Sequence, residues 1–170
     1  MRAPDVVTAA VTRADGGVTV LRIIINEYDA VGEVRAHYEP TLEYVQSLID
    51  QYVRDSAWTG PLAPVSWRFV DNDYGDADRT YRNAWLDESG PRPGHDMLKA
   101  REIHRERIRL ARAPLLEDLD VEYQRADERG STTDKTLVAA RKQALRDATE
   151  DPMIDAAQTV ADLLSLPLPT

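Results

Sequence analysis

Side chains able to ligate a metal, attack a carbonyl or carry a proton are sparse in this chain. Asp71, Asp73, Asp76 and Asp78 fall within DNDYGDAD, and oxygen-rich loops of this kind can hold calcium. The frame departs from that of an EF-hand, because glycine stands at the fifth position and no glutamate closes the loop at the twelfth. A solvated acidic turn accounts for the same residues without a metal. His37, His95 and His104 are far apart and lack ligand spacing such as H-E-x-x-H. Arg101, Arg105 and Arg107 surround His104, a neighbourhood that depresses its protonation and suits a structural or interface role.

Other chemistries fare no better. The chain has no cysteine, which excludes disulfides, thiol catalysis and thiolate metal sites and fits a reducing compartment. No G-x-S-x-G turn presents a nucleophile. Glu117 and Asp118 are neighbours on an expected helix, so they point apart and cannot share a proton. Gly16-Gly17 lacks the following helix that a phosphate loop requires. Trp67, Tyr81 and Trp85 could form a sugar-binding face. In a chain with a single Phe they are better read as anchors of a sheet core. The expectation is a protein without catalytic residues and without a cofactor.

What does carry information is the segment from Met97 to Ala126, which runs without a glycine. Ile108, Ala111, Leu115, Leu119, Tyr123 and Ala126 recur by three or four, so they line one stripe of a helix. Arginines dominate the charge from Lys99 to Arg112, and acids dominate from Glu117 to Glu128. A helix with one basic and one acidic half suits contact with another protein surface. The expected contact residues are Arg101, Ile103, Arg105, Ile108, Arg109, Arg112, Leu115, Leu119 and Tyr123. They combine apolar anchors with flanking charge that sets orientation.

Length and composition bound the rest. At 170 residues the chain has room for one ordinary core, or a small core and an appendage. A net charge of −9 repels phosphates and argues against nucleic acid as a partner. No apolar run approaches the roughly 20 residues that cross a bilayer. MRAPDVVTAAVTRADGG has no apolar core of a secretion signal.

The elements follow from periodicity and punctuation. VVTAAVT and VTVLRIII flank Asp15-Gly16-Gly17, which predicts a hairpin over residues 6–25. Its second strand is apolar on both faces and is expected to be central and covered twice. Asn26 to Tyr38 is ambiguous. A helix is expected from Pro40 to about Arg54, with Leu42, Val45, Ile49, Tyr52 and Val53 as its stripe. GPLAP ends it. Val65, Trp67 and Phe69 alternate as one side of a strand, and Asp78 to Leu86 is expected to return as another. GPRPG (residues 90–94) reads as a linker. Beyond it, Pro114 predicts a bend near Leu110 or a restart, and Gly130 ends the long helix. Ser131 or Thr132 then caps a second helix to about Ala148, striped by Leu137, Ala140, Ala144, Leu145 and Ala148. Asp151-Pro152 opens a short helix, Thr159 caps a last turn, and the apolar LPLPT end is expected to lie on a surface. The fold class is α+β. A small antiparallel sheet with one helix (residues 1–89) precedes a C-terminal antiparallel helical hairpin and tail (residues 95–170).

DRTYRNAWLDESG, HDMLKAREIHRERIRLARAPLLEDLDVEYQRADERG and ARKQALRDATEDPMIDAAQTVADLL together resemble a family of uncharacterised bacteriophage and prophage proteins. These are encoded near tail-fibre and tail-tip genes, mainly in high-GC proteobacterial hosts. The resemblance covers roughly Asp78 to Leu164. Leu98 and Val160 stand where the family carries proline. The layout is also similar to that of tail-fibre assembly proteins, an analogy of architecture. The resemblance implies a non-enzymatic tail-region protein that docks on a fibre, tip or baseplate component, as a virion part or an assembly factor. Its place would be the host cytoplasm during assembly, or the virion tail. Homo-oligomerisation is compatible with it, and neither nucleic acid nor membrane is an implied partner. A host-surface glycan adhesin and a transient tail-fibre chaperone absent from the virion are the alternatives.

Overall fold

The computed structural model describes residues 5–55, 59–74 and 79–170. It divides into two units, Met1–Asp96 and Met97–Thr170. The first is built on a four-stranded antiparallel sheet of order β3-β2-β1-β4. Strands β1 (Asp5–Arg13) and β2 (Val18–Tyr28) form the expected hairpin. Gly16 takes a φ of +77° in its turn, a conformation open to glycine at little cost. Strand β3 (Val34–His37) follows Gly32, whose φ is +89°, and it resolves the ambiguous stretch as a short edge strand. Strand β4 (Pro64–Val70) pairs with β1 and forms the other edge.

Side chains alternate across the sheet, and each face has its own cover. On one face Ala9, Val11 and Ile23 pack with Val45 and Ile49 of helix α1 (Leu42–Asp55). The helix starts later than expected because the Thr41 hydroxyl accepts from the Tyr44 amide at 3.1 Å and so serves as the cap. Pro40 lies before that cap, and Leu42 is exposed. The side chains of Tyr52 and Val53 lie outside those described. On the other face Ala10 and Val18 pack with Tyr74 and Trp85. Double cover of β2 is therefore partial, since Arg22 and Ile24 further along that face are exposed.

The expected strand from Asp78 to Leu86 does not form. Residues Arg79–Ala84 make a 3-10 turn, and only Trp85–Leu86 (β5) is extended, pairing with Gly94–His95 (β6). Tight coiling places Tyr81 and Trp85 inside together, which spacing by four in an extended strand also suggested. The GPRPG segment is correspondingly part of the first unit, with Pro93 buried and Gly94 in β6.

The second unit is helical. Helix α2 (Met97–Glu128) is continuous through Pro114. Proline removes one donor to the Leu110 carbonyl, yet the helix does not restart. Anchors on both sides, Ile108 and Leu119, are buried. Gly130, at φ +66°, closes α2 with paired bonds from Ser131 N to Ala126 O and from Gly130 N to Asp127 O, a Schellman arrangement. Ser131 caps α3 (Thr132–Asp147) by accepting from the Asp134 amide. Helix α3 buries Val138 and leaves Leu137 exposed, so its packed face is rotated from the expected stripe. Asp151 caps α4 (Pro152–Ala156), and Thr159 with Asp162 forms a reciprocal capping box for α5 (Val160–Ser165).

Candidate interaction surface

Three of the four expected contact arginines of α2 fasten the second unit to itself. Arg101 donates to the Ala157 carbonyl at 2.9 Å. Arg105 donates to the Thr149 carbonyl at 3.3 Å and to Asp155 at 2.7 Å. Arg112 reaches the carbonyls of Leu145 and Arg146 at the end of α3. Arg109 is the exception. It pairs along its own helix with Glu102 at 2.9 Å and Glu106 at 3.1 Å, and these acids hold its guanidinium above the ordinary range.

The apolar part of the expected contact surface is likewise turned inward. Ile108 and Leu119 are 3% and 4% exposed. Ile103 and Leu115 are half-buried. Tyr123 keeps more exposure, with the Lys142 ammonium 5.2 Å from its ring centre. The acidic half of α2 is matched by basic residues of α3: Asp127 with Lys135, Glu122 with Arg141, and Asp120 with Lys142. The split charge seen in the sequence thus serves mainly to dock α3, α4 and α5. Much of the stripe from Arg101 to Tyr123 is therefore covered within the second unit, while Arg109 and Tyr123 stay exposed. His104 is fully buried. Burial first, and then Arg107 and Arg105, hold its imidazole below the ordinary value.

One part of the seam stays open. A groove of about 540 Å³ runs between α2, α3 and the tail, within the size range of about 300–1,000 Å³ typical of ligand sites. Ile108, Leu115, Leu119, Leu145 and Ile154 supply apolar lining, and Leu166 to Thr170 form one wall. Asp118, Glu122, Asp151 and Arg141 also line it. Glu122 and Arg141 pair at 2.7 Å, which leaves Asp118 and Asp151 as its uncompensated charge. Only an indirect sign of this groove is legible in the sequence, in an apolar LPLPT segment that needs a surface to lie on.

Two polar networks stand out among the described residues of the first unit. Arg68 grips both oxygens of Asp87 and donates to the Gly90 carbonyl at 2.9 Å. It also lies over the Tyr74 ring. Hydrogen bonding from Arg68 holds the Asp87 carboxyl below the ordinary value. At the far end of the sheet, Asp5 accepts from Asn26 and from the Tyr28 hydroxyl, and Asn26 meets His37 at 2.7 Å. This second network follows from cross-strand pairing of Asp5 with Asn26 and of Asn26 with His37, a register that the sequence alone did not reveal.

The other sequence candidates separate. Tyr81 and Trp85 are buried, while Trp67 packs on the opposite face of the sheet, so the three rings share no open binding face. Asp71 is exposed, and Asp73 pairs with Arg92 at 3.0 Å. Asp76 and Asp78 lie outside the described residues. Among the described residues no group of three acidic or histidine side chains is gathered to hold a metal ion, and no helix is long and apolar enough to cross a membrane. The chain matches no protein-family model, no curated protein and no solved structure.

Proposed function

We propose that this is a non-enzymatic docking protein of the bacteriophage tail region. Its helical unit receives a segment of a fibre, tip or baseplate component, as a virion part or an assembly factor. The observation that carries the reading is the groove beside the tail, with leucine and isoleucine lining and an acidic excess at Asp118 and Asp151. Such a surface fits a segment that offers apolar anchors flanked by lysine or arginine. The phage setting rests on the resemblance of residues 78–164, and the docking chemistry rests on the groove.

Co-expression of the full chain with each tail protein encoded beside it tests the reading. One of them co-purifies with the wild type. Leu115→Lys with Asp118→Lys abolishes co-purification while helicity is kept, and Arg109→Glu on the exposed side of α2 leaves it intact. Absence of any co-purifying tail protein overturns the proposal. Mass spectrometry of purified particles separates the two modes, since a virion part is present and a transient chaperone is absent.

A further inference from the structure

The chain after α4 is held to the second unit by different means from the chain before it. Helices α3 and α4 are tied to α2 by polar bonds, from Arg112 to the Leu145 and Arg146 carbonyls, from Arg105 to Asp155 and from Arg101 to the Ala157 carbonyl. Beyond Ala157 such ties stop. The side-chain hydrogen bonds of Gln158, Thr159, Asp162 and Ser165 stay within residues 156–165, and a last backbone bond runs from Leu166 N to Leu163 O. Among the described residues, no hydrogen bond or ion pair holds the chain from Pro167 onward. Apolar contact holds it instead. Leu166, Leu168 and Pro169 are half-buried along the groove that Leu115, Leu119, Leu145 and Ile154 line. Leu166 is extended, at φ −75° and ψ 131°. Pro167 and Pro169 have no N–H to leave unsatisfied, and their rings keep the backbone stiff.

This segment matches only half of the groove. LPLPT carries no charged side chain, and among the described residues Asp118 and Asp151 have no cation beside them to match their charge. We infer that Leu166–Pro169 is a built-in competitor, a strap that a docked segment displaces. The inference rests on the docking reading of the groove given above. A segment with leucines and a lysine or arginine meets both the apolar lining and the two carboxylates. One with leucines alone repeats contacts that the strap already makes. It must also compete with a rival tethered to the same chain, whose effective concentration is on the order of millimolar. The strap thus rejects surfaces that are merely apolar, admits those that are also cationic, and shields part of the lining while no partner is present.

Calorimetric titration of the full chain with two end-blocked peptides, SLPLPT and KLPLPK, tests the competition. Leu166→Ser with Leu168→Ser disables the strap, and the buried anchor Leu163 is untouched, so helicity by circular dichroism is unchanged. Both peptides bind this variant roughly tenfold or more tighter than they bind the wild type. KLPLPK binds the wild type more tightly than SLPLPT does, and Asp118→Asn narrows that difference. Leu168→Ser alone gives intermediate affinities. Equal affinity for wild type and strap variant overturns the inference. So does weaker binding to the variant, which would make the strap a clasp, and so does failure of both peptides to bind either protein. A tail protein that co-purifies with the wild type while the peptides ignore the strap variant keeps the docking reading and removes the strap. Peptide competition without any co-purifying tail protein keeps the strap and removes the tail-protein partner.

Discussion

Arg112 donates from one guanidinium nitrogen to the carbonyl oxygens of both Leu145 and Arg146, at 3.0 and 2.7 Å. Carbonyls at the end of a helix lack intrahelical donors and carry the negative end of its dipole. A cation placed there stabilises the helix end and ties α3 to α2 in one contact.

Arg112→Ala is therefore expected to destabilise the second unit by about 1–2 kcal/mol. Arg112→Lys recovers part of the loss, since an ammonium keeps the charge near the dipole but lacks the planar guanidinium that holds one nitrogen between the two carbonyls. Chemical denaturation followed by circular dichroism reads both. An Arg112→Ala variant as stable as wild type would show that solvent replaces this contact without loss.

His104 gives the second unit a dependence on mild acid. Its imidazole is held below 6.5 when folded, by burial and by Arg107 and Arg105. Between the folded and unfolded values the unfolded chain binds the extra proton, so stability is full above about pH 6.5 and falls as pH drops through that window. His95 in the first unit, lowered chiefly by burial, acts with the same sign. Thermal unfolding from pH 7.5 to 5.5 should show a falling Tm, and a shallower fall in His104→Gln. An identical slope in the variant would remove His104 from the account.

Asp87 governs a lower range. Arg68 holds its carboxyl below 3.8, so this contribution is present above that value and is lost as pH falls through the folded value. Asp87→Asn leaves Arg68 without its charged acceptor and loosens the contact of the segment after β5 with the sheet. The expected cost is about 1–3 kcal/mol, with the remaining stability less sensitive to acid below pH 4. Denaturation of wild type and variant at pH 7 and pH 3.5 measures both effects.

Local signals in this chain were the readable ones. Asp15-Gly16-Gly17, Gly130, Ser131, Asp151 and Thr159 each act through backbone geometry within a few residues, and each turn or cap forms where its chemistry placed it. Thr41 displaced Pro40 as the start of α1 because a hydroxyl in reach of a free amide decides the cap. Spacing by four at Tyr81 and Trp85 is shared by a strand and by tight coiling, and burial of both rings decided for coiling. The direction of the α2 arginines was beyond reach for a different reason. Arg101, Arg105 and Arg112 find their acceptors 33 to 56 residues further along, and no periodicity encodes which carbonyls a long side chain will meet. The groove arises from the same long-range folding, so only its apolar ingredients were visible.

Because α3, α4 and α5 each contact α2, the second unit has a spine rather than a shared centre. Losing one attachment does not oblige the others to follow. Helix α5 and the chain after it can peel away from the spine, exposing Leu163, while the α2–α3 pair stays zipped. That would bare the lining now sheltered behind Leu166 and Leu168 and widen the opening for an incoming segment. Amide exchange then shows two tiers, with residues 160–170 trading protons well before the spine does.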